Sequence, residues 1–301
     1  MQEGSRSIVL AAFVANFGIA VAKLVGFLIT GAASMLAEAV HSAADTGNQG
    51  LLLLGGSRAR KRASASHPFG YGRERYFWAF VVAMVLFSLG GLFAIFEGVQ
   101  KLREPHEIES VAVAVTILLV AIAFESYALT KAIKQANAER GGQSWWHFIR
   151  HSKSPEVPVV LLEDAGAQLG LFLALFGVAL ARITGNPRWD ALGSLGIGVL
   201  LVVIAAVLAV EMKSLLIGES ASTADTAAIR RALEAAPDVR RLLHLRTQHL
   251  GPDELLVAAK VELDGHLSFG QVAAAIDVAE GRLRDEVPAA RVVYLEPGVA
   301  G

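Results

Sequence analysis

The chain contains no cysteine. That removes disulfides and thiolate zinc sites from consideration. Charge is also scarce. Asp, Glu, Lys and Arg make up 18% of the 301 residues, where a soluble domain carries about 25%. The charges nearly cancel, at a formal net of -1, so no basic field points to nucleic acid. A cleavable signal pattern is missing too. The first apolar run, Ile8–Ile29, is too long for a signal core, and no small-residue cleavage site leads from it into a soluble region. No internal repeat, no low-complexity tract and no His-Glu-x-x-His pattern occurs.

What the chain has in abundance is apolar residues, at 54%. A helix needs about 20 of them in succession to cross the hydrocarbon core. Six runs meet that length: 8–29, 33–56, 76–100, 109–133, 157–182 and 190–213. None alternates polar with apolar, which disfavours barrel strands. The predicted fold is an α-helical polytopic membrane protein, a six-transmembrane-helix bundle over residues 1–216. A small αββαβ domain over residues 217–301 follows. Its predicted elements are a helix at Ala224–Ala235 capped by Ser222 or Thr223, and strands Val239–Gln248 and Glu254–Asp264 about a Gly251-Pro252-Asp253 turn. A helix from Ser268 to about Val287 and a strand Ala290–Glu296 complete it.

Lysine and arginine concentrate in two loops. Arg58, Arg60, Lys61, Arg62, Arg73 and Arg75 follow the second run; Lys131, Lys134, Arg140, Arg150 and Lys153 follow the fourth. The positive-inside rule places these loops and both termini in the cytoplasm. Arginine outnumbers lysine, 19 to 8, as in GC-rich bacterial genomes, so the bacterial inner membrane is the expected location.

Ionisable groups inside membrane helices are costly and face a bundle interior or a water-filled path. The second run holds His41 and Asp45, four apart and therefore on one helix face. Imidazole and carboxylate at that spacing can share one divalent ion, and nitrogen and oxygen donors suit zinc. A His–Asp hydrogen bond that merely orients helices is the alternative. The fifth run holds the adjacent acids Glu163 and Asp164, with Gln168 on the Asp164 face. Asp164 is the expected third ligand. Glu163 is left as an outer group, a proton carrier, or a partner for a cation such as Lys23. Asn16, Glu97 and Glu125 are read as structural, and the many glycines as close-packing positions.

These features together resemble the cation diffusion facilitator family, proton-coupled exporters of zinc, manganese, iron and cobalt. The resemblance covers nearly the whole chain. It rests on His41-x-x-x-Asp45, on His67-Pro68-Phe69-Gly70-Tyr71-Gly72-Arg73, on Asp164 and on the αββαβ tail. It implies a homodimer with six membrane helices per protomer, and a transport site between the second and fifth helices. It also implies alternating access driven by proton exchange. The implied cargo is Zn2+, with Mn2+, Fe2+ and Co2+ as alternatives. The implied partners are the cation, protons, the lipid bilayer and a second copy, with no organic cofactor and no enzymatic activity. Many members carry a histidine where this chain has Val160. Glu163, Gln168, water or a backbone group must then supply the fourth donor, and the Glu163-Asp164 form resembles a zinc-transporting branch with mitochondrial relatives. Ser64 and Tyr71 flank His67, so no loop metal is expected. Leu243, Lys260 and Tyr294 stand where the soluble domain of some members has histidines, so that domain is expected to dimerise rather than to sense metal strongly. Two other functions fit less well: an intramembrane metalloenzyme in which His41, Asp45 and Asp164 activate water, and a sensor that does not transport.

Overall fold

The computed structural model describes residues 33–105 and 111–298, with isolated positions between 13 and 28. More than half of the first apolar run, Asn16 and Lys23 included, lies outside the described residues. From Ala33 the chain forms α1 (Ala33–Arg58), α2 (Glu74–Val85), a π-helical segment (Leu86–Leu92) and α3 (Phe93–Arg103). It continues with α4 (Val111–Arg140), the short α5 (Trp145–His151), α6 (Glu156–Thr184) and α7 (Arg188–Ile217). Among the described residues four spans are long and apolar enough to cross a bilayer: Glu74–Arg103, Ala114–Arg140, Glu156–Thr184 and Arg188–Ile217, of 30, 27, 29 and 30 residues. At a rise of about 1.5 Å per residue each reaches about 40 Å, more than the roughly 30 Å hydrocarbon thickness. Phe124, Phe176, Val199 and Val203 are all more than half exposed, as side chains facing lipid would be.

Two differences from the sequence reading have physical causes. The fourth run extends well beyond its apolar part, because Lys131 to Arg140 are good helix formers and Gln135 bonds Glu139 one turn on, at 3.0 Å. The unforeseen α5 is too short to show a period. Ser144 Oγ caps it by accepting from the His147 N–H at 3.2 Å. Arg150 then ties it to the buried Glu211 of α7, Nε to Oε1 2.8 Å.

Glycines let the helices meet backbone to backbone. A Cβ on Gly198 would lie 2.7 Å from the Ile95 nitrogen and 2.9 Å from the Gly91 oxygen, so α7 touches α3 and the π segment directly. Gly177 and Gly193 bring α6 and α7 equally close, 3.0 Å to the Trp189 oxygen and 3.1 Å to the Leu173 oxygen. α4 packs along α6, and Ala132, Ala136, Phe148, Val157 and Leu161 form a small core beside it.

The second compact unit comprises Arg58–Tyr76 and Ser214–Gly301. Its helices are α8 (Thr223–Glu234) and α9 (Phe269–Glu286), and its strands β1 (Val239–Gly251), β2 (Glu254–Leu263) and β3 (Val292–Gly298). β1 pairs antiparallel and β3 parallel with the central β2. Leu255, Val257, Ala259, Val261 and Leu263 are all buried, every second residue of β2. Leu255, Val257 and Ala259 pack on Ile229 and Leu233 of α8 and on Ala279 and Leu283 of α9. Ser222 caps α8, and Gln271 reaches back to the Ser268 N–H at 2.8 Å to complete a capping box on α9. Arg75, counted above as a topology charge, is buried here against Asp253 at 3.1 Å, and Gly72 abuts the backbone of Leu250 and Gly251.

Candidate functional site

The site begins on α1. His41, Asp45 and Asn48 fall at i, i+4 and i+7, one stripe of a single helix. The His41 side chain is outside the described residues. Asp45 is half-buried, and Asn48 is 1% exposed. Asn48 Nδ2 donates to Glu163 Oε1 of α6 at 2.6 Å, across 115 residues of chain. This bond fastens α1 to α6 at the level of the acids. It also fixes the buried Glu163 carboxylate, since a hydrogen-bonded polar group costs far less in an apolar interior than a bare one.

Asp164, the next residue, turns about 100° away and is half-buried. The strongest neighbouring charge on Glu163 is Asp45; on Asp164 it is Glu125 of α4, followed by Asp45. Asp45, Glu125, Glu163 and Asp164, from three helices, therefore share one electrostatic neighbourhood. Gln168 is buried as well, and its Oε1 accepts from Ser126 Oγ of α4 at 3.4 Å. Glu163 thus looks to α1, while Asp164 and Gln168 look to α4. Among the described residues, which exclude the His41 imidazole, no three His, Asp or Glu groups converge tightly enough to hold a metal ion. The carboxylates are gathered but not closed around a cation.

A cleft of about 180 Å3 opens beside them, bounded by α1, the π segment, α3, α6 and α7. Its wall is mostly apolar; the polar side chains in it are Asp45, Asn48, Glu97 and Ser194.

Three participants escaped the sequence reading. Asn48 carried a usable signal, its place on the His41–Asp45 stripe. Glu97 and Glu125 were read as structural because they sit toward the ends of their runs; packing brings one to the cleft and the other to Asp164. In the loop after α1, His67 stacks on Tyr71 with ring centroids 4.4 Å apart, and Ser64 Oγ lies 3.2 Å from the Tyr71 hydroxyl.

Comparison with known proteins gives this arrangement a family. The model of the cation efflux transmembrane domain matches residues 9–217, and that of the cation efflux protein cytoplasmic domain matches 221–297. The chain belongs to the cation diffusion facilitator family. Members of this family are cation transporters, not enzymes. The human relative named proton-coupled zinc antiporter SLC30A9, mitochondrial, is 34% identical over 267 residues, 88% of this chain and 47% of that protein. Metal tolerance protein C4 of Arabidopsis thaliana is 30% identical over 235 residues, 77% of this chain and 51% of that protein. The chain spans about half the length of both. Magnetosome protein MamB of Paramagnetospirillum magneticum is 24% identical over 289 residues, covering 94% of this facilitator and 90% of MamB.

Proposed function

We propose that this facilitator is a secondary transporter that exports a divalent metal cation, zinc foremost, from the cytoplasm of a bacterium in exchange for protons. The observation that carries the reading is the meeting of Asp45 of α1 with Glu125, Glu163 and Asp164 of two membrane-length helices, with Asn48 holding Glu163. Such a group is expensive in lipid unless a cation or protons neutralise it. His41, Asp45 and Asp164 are the proposed ligands, with Gln168 as a possible donor of the fourth bond. Glu163 is the proposed outer carboxylate that exchanges a proton. The printed name of the human relative, a proton-coupled zinc antiporter, supports both cargo and coupling.

The mechanism is competition. Ligation requires a neutral imidazole and ionised carboxylates, so metal binding releases protons. An imidazole titrates near about pH 6.5, so protonation from the more acidic side expels the metal. Return of the emptied, protonated site completes the exchange. The soluble domain is proposed to hold two copies together as a homodimer.

The test is zinc uptake into inside-out vesicles. His41→Ala, Asp45→Ala and Asp164→Ala should each abolish uptake in protein that still folds, while Glu163→Gln should leave partial, pH-shifted transport. Normal transport by any two of the alanine variants would sink the assignment. A Glu163→Gln defect as severe as that of Asp164→Ala would reverse the roles of the two acids.

A further inference from the structure

The cleft beside Asp45 takes in more wall than the proposed ligands occupy. Along the π segment and α3 its lining residues run from Val85 to Glu97, through Leu86, Gly90 and Ala94. Val85 and Glu97 are twelve residues apart, so this lining extends over about three turns of helix. Asp45 and Asn48 provide carboxylate and amide on one wall, and Glu97 is the other carboxylate that lines the cleft. Its volume of about 180 Å3 is well above the ~10–15 Å3 that a single enclosed water requires, enough for a partly hydrated ion.

Glu97 is held in a particular way. Lys101, one turn further along α3, lies 3.3 Å from Glu97 Oε1 and 3.1 Å from Asp190 Oδ2 of α7. One ammonium thus serves two carboxylates on two helices. If a cation takes Glu97, Lys101, a part-exposed side chain, keeps Asp190 as its partner. The exchange conserves paired charge, and that lowers its cost. A simple clamp between α3 and α7 would need only Lys101 and Asp190.

We propose that Glu97 is a second cation-contacting carboxylate, a relay between Asp45 and the far end of the cleft, with Lys101 as its displaceable counter-ion. The relay rests on the transport reading above. It adds a specificity that reading lacks: a divalent cation leaving Asp45 meets a carboxylate oxygen donor before it meets bulk water.

The test uses full-length protein in zinc-loaded proteoliposomes and exploits the absence of native cysteine. Glu97→Cys should lower zinc flux at least tenfold. Modification of that thiol with carboxyethyl methanethiosulfonate should restore flux to within about threefold of the parent, whereas the aminoethyl and methyl reagents should not. Glu97→Asp should keep most of the flux. Zinc affinity of the Glu97→Cys protein, measured by calorimetry in detergent, should stay within about twofold of the parent, which separates relay from binding site. Parent-like flux in Glu97→Gln overturns the relay. So does recovery with all three reagents alike, or complete carboxyethylation, checked by mass, without recovery. Parent and Asp45→Ala run in parallel. If the parent moves no zinc, the transport reading fails; if Asp45→Ala is dead while Glu97→Gln is normal, only the relay fails.

Discussion

Asn48 shows how much one side chain contributes here. It is buried, its amide holds a buried carboxylate at 2.6 Å, and it stands one turn from Asp45. Asn48→Ala removes the donor but leaves the acceptor in place. Leaving a buried polar group short of a partner costs about 1–3 kcal/mol. The expected outcome is a lower melting temperature for the detergent-solubilised protein, and zinc flux reduced but not abolished. Asn48→Asp keeps the shape but sets another negative charge against Glu163, and flux should be lost at neutral pH. Parent-like flux in Asn48→Asp would mean that the amide only fills space. The pair His41–Asp45 was legible in the sequence because helical spacing needs no tertiary knowledge. The partner of Asn48 was not, because a bond across 115 residues depends on how α1 and α6 pack.

The elements divide by whether a local period announces them. The alternation of β2 is complete in the sequence, and its apolar face, Leu255, Val257, Ala259, Val261 and Leu263, is buried throughout. Ser268 announces α9, because a Ser followed three residues later by Gln can satisfy two end groups at once. The π segment has no such sign, since Leu86–Leu92 has the composition of any membrane helix. The glycines had been read as close-packing positions, and the structure gives them partners. At the α3–α7 seam a new Cβ on Gly198 meets backbone, which cannot give way as a flexible side chain would. Gly198→Ala should cost about 1–3 kcal/mol as an overpacking lesion. Gly170→Ala, where the nearest atom is Ile197 Cγ2 at 3.6 Å, should cost much less. Thermal unfolding of the two purified variants checks the order, and a Gly170→Ala protein less stable than Gly198→Ala would contradict it.

At the scale of the molecule, the two compact units differ in ligand supply. The soluble unit has its own core, drawn entirely from residues between Ala221 and Leu295. The histidines of its C-terminal part are dispersed: His244 is exposed and accepts from Arg246 Nε at 2.9 Å, His249 is 5% exposed beside the Gly251 carbonyl, and His266 is exposed in a turn. A tight zinc site wants about four converging donors. The isolated domain, residues 219–301, should therefore not bind zinc stoichiometrically below micromolar concentration, and it is expected to be dimeric in analytical ultracentrifugation. Calorimetric titration decides the first point, and a persistent monomer would overturn the second. The outline of this unit was legible because strands, caps and turns are local signals. That Arg58–Tyr76 clusters with it was not, for it depends on Gly72 lying against Gly251 and on Arg75 reaching Asp253.

The π segment also bears on how the chain can change length. Its ladder holds one residue more than an α-helix needs over the same stretch. Losing Ser88 lets Leu86–Leu92 close as ordinary helix, and everything after it keeps its face: Glu97 toward the cleft, Gly98 against Leu195. Losing a residue from the taut stretch Phe93–Glu97 instead turns the remainder of α3 by about 100°, carrying Lys101 away from Asp190. Lineages descended from this sequence can shorten the Glu74–Arg103 span in one place without realigning it, and that place borders the cleft.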